Sequence, residues 1–193
     1  MINESKIQEF VENADYARTD IMTVIIDMKG ICEMLISVEQ RLKDQISSYD
    51  YEKKLDNKKV IMDSIKTYAE YYMGDLIEFC EKLNEYNEYV SDISLANIKI
   101  PEYIDERDMI AFRAEELVNE FKNVYEQLLS NFEVFFNEPK RKTIGNIQNM
   151  IENELNIEEL FLNIEENSQS IIDELDTMCE KVENLIKRNS NKR

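Results

Sequence analysis

The chain has 193 residues, of which 41 are acidic and 23 are basic, so its formal net charge is −18 at pH 7. It contains no His, which excludes the usual general base at neutral pH, histidine-activated nucleophiles and imidazole ligands for metals. It contains only three Gly and two Pro, and tight turns and chain reversals depend on these residues. The sequence therefore predicts an all-α protein of long helices.

The first half of the chain contains two runs of apolar residues in heptad spacing. Steps of three and four alternate without a slip from Ile7 to Leu42, and the same alternation resumes from Met62 to Ile93. This spacing places the apolar residues on one face of a long helix. The seam of the first predicted helix consists of Ile7, Phe10, Ala14, Ala17, Ile21, Val24, Met28, Ile31, Leu35, Val38 and Leu42.

The second half is predicted to form two further helices. Pro101 interrupts the apolar pattern between the halves, and Asn137-Glu138-Pro139 marks the next boundary. A fourth seam is clearest from Phe161 to Leu185, with Asn156 as a weak point before it. The seam of the third predicted helix consists of Ile110, Ala114, Leu117, Phe121, Val124, Leu128 and Phe135, and flanking residues such as Val118 and Phe132 are expected to widen its apolar face.

The connections predict how these helices pack. Those near residues 50 and 138 are too short for a parallel return, so each pair of helices is expected to form an antiparallel hairpin. We expect an elongated antiparallel four-helix bundle, a coiled coil of long heptad helices, with two hairpins placed end to end as the alternative. The predicted organisation is a single helical domain over residues 1–193, with hairpins at 3–96 and 105–188, a linker at 97–104 and a frayed tail at 189–193.

The sequence also predicts a compartment. The first residues lack the basic and apolar regions of a secretory signal. The most apolar window, Ile21 to Val38, is interrupted by Asp27, Lys29 and Glu33, and such charges are costly near a bilayer centre. The three cysteines are an odd number without a CxxC spacing, which is typical of reduced thiols. We therefore expect a cytoplasmic protein without a membrane span.

Charge is unevenly distributed along the chain. Residues 143–180 contain ten acidic residues and no Lys or Arg. With Phe161 at heptad position a, an acidic row occupies the outward f positions, and it consists of Glu152, Glu159, Glu166, Asp173 and Glu180. The simpler interpretation is a solvated face, but solubility alone is served by mixed charges. The other interpretation is a functional surface that imitates nucleic-acid phosphate.

Basic residues concentrate near the predicted hairpin turns. In an antiparallel arrangement both turns lie at the same end of the bundle, which predicts a basic tip. Its members are Arg41, Lys43, Lys53, Lys54, Lys58, Lys59, Lys140, Arg141 and Lys142. Decoration of loops by lysine is the simpler interpretation of this cluster.

The first helix carries apolar residues that its seam does not need. Met22, Ile26 and Ile36 occupy b or f positions, and Gly30 lies at c, one turn beyond Ile26. Gly in a helix costs roughly 0.5 to 1 kcal/mol relative to Ala, and the close approach of another backbone is one reason to tolerate it. We call these four residues the α1 patch. It is either a partner-binding face or internal core covered by residues 97–104.

No motif indicates a catalytic, cofactor or metal site. Phosphate-binding glycine loops, calcium loops and cysteine clusters are absent from the sequence. Glu115, Glu116 and Glu120 resemble the paired-acid helices of all-α nucleotide pyrophosphohydrolases, which would imply Mg²⁺ binding, but their spacing is EExxxE where that family has EExxE. We expect a non-enzymatic protein without a cofactor.

A second resemblance concerns the outline of the chain. Tyr16 with Asp20 and Tyr71 with Asp75 fit a YxxxD pattern. With its long paired helices the chain is similar in outline to the WXG100 and LXG proteins of type VII secretion, although it has no Trp. The resemblance implies a helical hairpin protein associated with that export system.

The expected function is non-catalytic protein–protein interaction by a scaffold, adaptor or assembly factor that uses the faces of an acidic helical rod. The alternative is an acidic inhibitor that imitates nucleic acid and binds a DNA- or RNA-binding protein, and the third is a WXG100/LXG-like protein. The expected partner is another protein, a basic one under the alternative, and self-association is also open. The net charge of −18 disfavours direct binding of nucleic acid.

Overall fold

The computed structural model describes residues 4–95 and 104–190, and within them every element is a helix. The helices are α1 (Glu4–Tyr51), α2 (Leu55–Leu95), α3 (Ile104–Asn137), α4 (Arg141–Asn153) and α5 (Ile157–Ser190). The all-α prediction is confirmed for this part of the chain. Most of the predicted linker, and the last three residues of the predicted tail, lie outside the described residues.

The turn between α1 and α2 contains neither Gly nor Pro and is stabilised by the carboxylate of Glu52. Glu52 Oε1 accepts hydrogen bonds from the backbone N–H groups of Lys53 and Lys54, both at 2.8 Å, and Oε2 accepts one from Asn57 Nδ2 at 3.0 Å. The pKa of Glu52 is lowered from its ordinary value, most by the hydrogen bond from the Lys54 backbone and next by the hydrogen bond from Asn57. Glu52 therefore satisfies donors at the start of α2 that would otherwise lack partners.

The predicted fourth helix consists of two segments. Asn156 is the reason, because its Oδ1 accepts the backbone N–H of Glu159 at 3.2 Å while its Nδ2 donates to Glu159 Oε2 at 3.0 Å. This reciprocal pair resembles a capping box and starts α5 afresh. On either side of Asn156, Leu155 and Ile157 are buried, so the interruption belongs to the packed structure.

The chain divides into two compact units. The unit that we call the terminal unit contains residues 1–27, 83–118 and 162–193, and the turn unit contains residues 28–82 and 119–161. In the terminal unit, the fully buried side chains include Ile21, Tyr86, Ile171 and Leu175. Tyr86 also accepts a hydrogen bond at its hydroxyl from Asn167 Nδ2, at 3.3 Å.

Aromatic pairs link α2 to α3 in the core of the turn unit. The ring centroids of Tyr72 and Phe132 are 6.1 Å apart, and those of Phe79 and Phe121 are 5.5 Å apart. As residue numbers rise along α2 they fall along α3, so the two segments run antiparallel there. Leu76, which lies between Tyr72 and Phe79 on α2, is also fully buried.

The predicted seam of α3 needs a correction. Val118 and Phe132 are buried, whereas Leu117 and Val124 are only half-buried. The aromatic contact between Phe132 and Tyr72 explains the difference for Phe132, since an aromatic ring buries more apolar area than valine. Strict alternation of three and four therefore misplaces part of this helix face.

Candidate interaction surfaces

The side chains of the α1 patch are exposed. The exposed fraction is 52% for Met22, 68% for Ile26 and 40% for Ile36. Met22 and Ile26 belong to the terminal unit, and Gly30 and Ile36 to the turn unit. The expected close backbone approach at Gly30 is not found in the described chain, because a Cβ built there would meet no atom within 4 Å. The helix therefore has open space at Gly30.

A groove between α1 and α2 in the turn unit contains Gly30. It has a volume of about 400 Å³, and its lining includes Gly30, Glu33, Met34, Arg41, Tyr71 and Asp75. Met34 and Tyr71 are exposed in it. Sequence reasoning placed Gly30 on an outer face but missed the groove, and the available signal was apolar residues at flanking heptad positions of both helices.

Two charged side chains of this α1–α2 groove lack a polar partner in the described part of the chain. Asp75 is half-buried, and burial, followed by repulsion from Glu78, raises the pKa of its carboxyl above the ordinary value. Neither Asp75 nor Arg41 forms a hydrogen bond or ion pair with its side chain among the residues that the structure describes. The groove thus contains an unpaired anion and an unpaired cation.

All five residues of the acidic row are exposed. Glu152, Glu159 and Asp173 each accept a hydrogen bond from a neighbouring Gln or Asn on the same stretch of chain. Within residues 4–95 and 104–190, no member of the row forms an ion pair with Lys or Arg. Their negative charge is therefore available to a partner.

The sequence predicted the acidic row as one continuous helix face. In the structure the row is divided between two helices. Glu152 lies in α4, whereas Glu159, Glu166, Asp173 and Glu180 lie in α5. α4 ends at Asn153, and Asn156 starts α5 again. The row therefore consists of four residues at seven-residue intervals on α5.

A second groove lies between α3 and α5 in the terminal unit. Its volume is about 930 Å³, and Glu166 and Asp173 of the acidic row contribute to its wall. Arg113, which also lines it, donates from Nη2 to both carboxylate oxygens of Glu174, at 2.8 Å each, and from Nη1 to Ser170 Oγ at 3.3 Å. The charge of Arg113 is thus compensated locally.

The predicted basic tip is partly neutralised. Arg141 forms two hydrogen bonds with the carboxylate of Asp50, at 2.7 and 2.9 Å, so the start of α4 lies beside the end of α1. Lys140 pairs with Glu138. Lys58 Nζ lies 4.7 Å from the ring centroid of Tyr49. Because these cations already have partners, the tip is a weaker candidate surface than its sequence indicated.

The three cysteines are buried free thiols. Burial is the largest cause that raises the pKa of Cys32 and of Cys179 to about 11, and burial also raises that of Cys80. At neutral pH all three are protonated, and a protonated thiol is a poor nucleophile.

The residues behind the two resemblances lie on helices. Glu115, Glu116 and Glu120 are exposed, and no group of three acidic or cysteine side chains in the described residues is arranged to hold a metal ion. Both YxxxD pairs lie inside helices, Tyr16 and Asp20 in α1 and Tyr71 and Asp75 in α2.

Comparison with known proteins does not assign this chain to a family. No family model matches it, and no curated protein or solved structure is significantly similar to it. Throughout the described residues, none of the helices has an apolar stretch sufficient to traverse a membrane.

Proposed function

We propose that this protein is a non-catalytic protein–protein interaction protein, a scaffold, adaptor or assembly factor that binds through outward helix faces. The observation that carries the proposal is the exposed apolar face of α1, above all Ile26 at 68% exposure. Contiguous exposed apolar side chains are typical of binding surfaces, because water is released from them on association. Met22 on the same face adds an adaptable contact residue.

The proposed architecture is four-helix packing within each unit, with neighbouring helices antiparallel. The aromatic pairs between α2 and α3 support it in the turn unit. In the terminal unit, ion pairs join α1 to α5 and α3 to α5. The predicted elongation of the whole protein remains a prediction, which small-angle X-ray scattering tests; a scattering profile of a compact sphere would contradict it.

A non-enzymatic role in the cytoplasm is part of the proposal. The absence of His removes the common routes of acid–base and nucleophilic catalysis. The three thiols are buried and raised in pKa, which favours structural over reactive cysteines. Three unpaired thiols also suit a reducing compartment.

The test substitutes Ile26→Glu and compares it with Val60→Glu, whose side chain is equally exposed at 67% but lies on α2. Tagged wild-type and variant proteins are used to capture partners from the native cell, and the partners are identified by mass spectrometry. We expect Ile26→Glu to lose a partner that Val60→Glu retains, with the melting temperature nearly unchanged in both. Equal capture by both variants would contradict a role for Ile26.

An acidic inhibitor of a DNA- or RNA-binding protein is the second candidate function. It is supported by the four α5 carboxylates of the acidic row, which are exposed and without an ion pair among the described residues. Under this proposal the partner is a basic protein, and binding weakens steeply between about 50 and 200 mM salt. Binding through Met22 and Ile26 changes little over that range, since apolar contacts are not screened.

A further inference from the structure

We propose that the α1–α2 groove of the turn unit binds the same groove of a second copy of this chain, forming a two-fold symmetric dimer. This inference rests on the proposed function, in that it names the partner for one part of the interaction face. A two-fold interface uses the same surface on both subunits, so that surface must be complementary to itself. The contents of the groove meet this requirement.

The apolar part of the groove supplies the contact area. Met34 and Tyr71 are exposed in its walls, and the space above Gly30 is open. A helix of the second copy can therefore approach α1 closely at Gly30 while Met34 and Tyr71 pack on it. Tyr and Met are well suited to such contacts because they combine large apolar area with adaptable geometry.

The charged part of the groove supplies complementarity. Arg41 lies eight residues after Glu33 on α1, which separates them by about 12 Å along the helix axis. Asp75, on α2, lines the same groove. A two-fold axis across the middle of the groove reverses its direction in the second copy, so each Arg41 meets the acidic end, Glu33 and Asp75, of the other groove.

The surroundings of Arg41 and Asp75 within one chain favour their pairing across the dimer. Neither Arg41 nor Asp75 has an ion-pair partner in the described chain, and burial raises the pKa of Asp75. A cation from the second copy would compensate this half-buried carboxylate. The two symmetric contacts also offset part of the repulsion between two chains that each carry a net charge of −18.

The test is sedimentation equilibrium of the full chain over a wide concentration range. We expect the wild type to form a dimer and Arg41→Asp to weaken it by about 10-fold or more, because the substitution places like charges opposite each other. The double variant, Arg41→Asp with Asp75→Arg, is expected to restore part of the affinity, because Glu33 still faces position 41. Lys54→Asp, which changes the net charge equally on an exposed residue outside the groove lining, is the matched control and retains the dimer.

A second pair of variants leaves the charged residues of the groove unchanged. A Cβ meets no atom within 4 Å at either Gly30 or Gly74, and both positions are exposed in the single chain, so both are suitable for substitution by Glu. Only Gly30 lines the groove. We expect Gly30→Glu to weaken the dimer and Gly74→Glu to leave it intact, with both variants folded by circular dichroism.

Three results would overturn the dimer proposal. They are a monomeric wild type at every concentration, equal dimerisation of Gly30→Glu and Gly74→Glu, and a dimer weakened by Arg41→Asp with no restoration in the double variant. The first result is distinguishable from failure of the proposed function. A monomeric chain whose Ile26→Glu variant still loses a captured partner would retain the interaction role and reject only self-association.

Discussion

Both units have partly exposed ion pairs between helices, and they differ in that the aromatic pairs between helices, among the described residues, lie in the turn unit. In the terminal unit, polar side chains join neighbouring helices at the surface, as in the contacts of Arg18 Nη1 with Asp176 at 3.0 Å and of Arg113 with Glu174 at 2.8 Å. In the turn unit, buried aromatic rings join α2 to α3. The same heptad spacing therefore supports two kinds of pairing. Partly exposed ion pairs contribute little free energy, whereas buried aromatic area contributes much more.

The largest expected effect is on the aromatic core. Phe132→Ala should lower the free energy of unfolding by about 3–5 kcal/mol, because Phe132 is fully buried against Tyr72 and its removal leaves a cavity. Urea denaturation measures the loss. Val134→Ala, at an exposed position of the same helix, is the control and should change stability by less than about 0.5 kcal/mol. Equal losses would show that the α3 register is wrong.

The ion pair of the terminal unit should contribute less. A double-mutant cycle with Arg113→Met and Glu174→Gln is expected to give a coupling of about 0.5–1 kcal/mol, since both side chains are partly exposed and screened by solvent. Concentrated salt should reduce the coupling further. The pair between Arg141 and Asp50 in the turn unit is similarly exposed and serves as the matched cycle. A coupling as large as the loss in Phe132→Ala would reverse the comparison between the units.

A stabilising change is expected at Gly74. Because a Cβ there meets no atom within 4 Å, Gly74→Ala should raise the free energy of unfolding by about 0.5–1 kcal/mol through helix propensity alone. Gly145→Ala should gain less, since its Cβ would lie 3.3 Å from Arg141 Nη1. Thermal denaturation of both variants makes the comparison. A loss of stability in Gly74→Ala would mean that another group occupies the space beside it.

The smallest expected effect is the pH dependence from Asp75, measured at concentrations where the chain is monomeric. The pKa of its carboxyl is raised in the folded chain, so protonation favours folding. The stability gained from protonation is fully present below the ordinary Asp pKa of about 4 and is lost as pH rises through the folded pKa. Asp75→Asn should therefore stabilise the protein slightly at neutral pH and not at low pH. A stabilisation that is independent of pH would contradict this cause.

Sequence patterning predicted the buried faces of α1 and α2 because most apolar steps among the described seam residues correspond to a buried residue. Leu35 and Leu76 are examples of seam positions that are fully buried. Along α3 it was less exact, because the seam positions Leu117 and Val124 are only half-buried, whereas the flanking Phe132 is fully buried against Tyr72. Periodicity counts positions and takes no account of side-chain size, so such shifts are invisible to it.

The candidate surfaces were less predictable than the helices. Ile26 was expected at an outward position and is exposed, because a single helix determines that property. The α1–α2 groove depends on the relative placement of Tyr71 and Gly30 on two helices, which no single-helix pattern specifies. The break at Asn156 was visible as a weak point, but its effect on the acidic row depended on the hydrogen bonds with Glu159.

The buried cysteines give each unit its own reporter of local opening. Cys32 and Cys80 lie in the turn unit and Cys179 in the terminal unit. A buried, protonated thiol reacts with a labelling reagent only when the surrounding structure opens, so its rate of modification measures the free energy of that opening. Without any engineered probe, thiol labelling followed by peptide mass spectrometry can therefore measure how often the turn unit and the terminal unit each open.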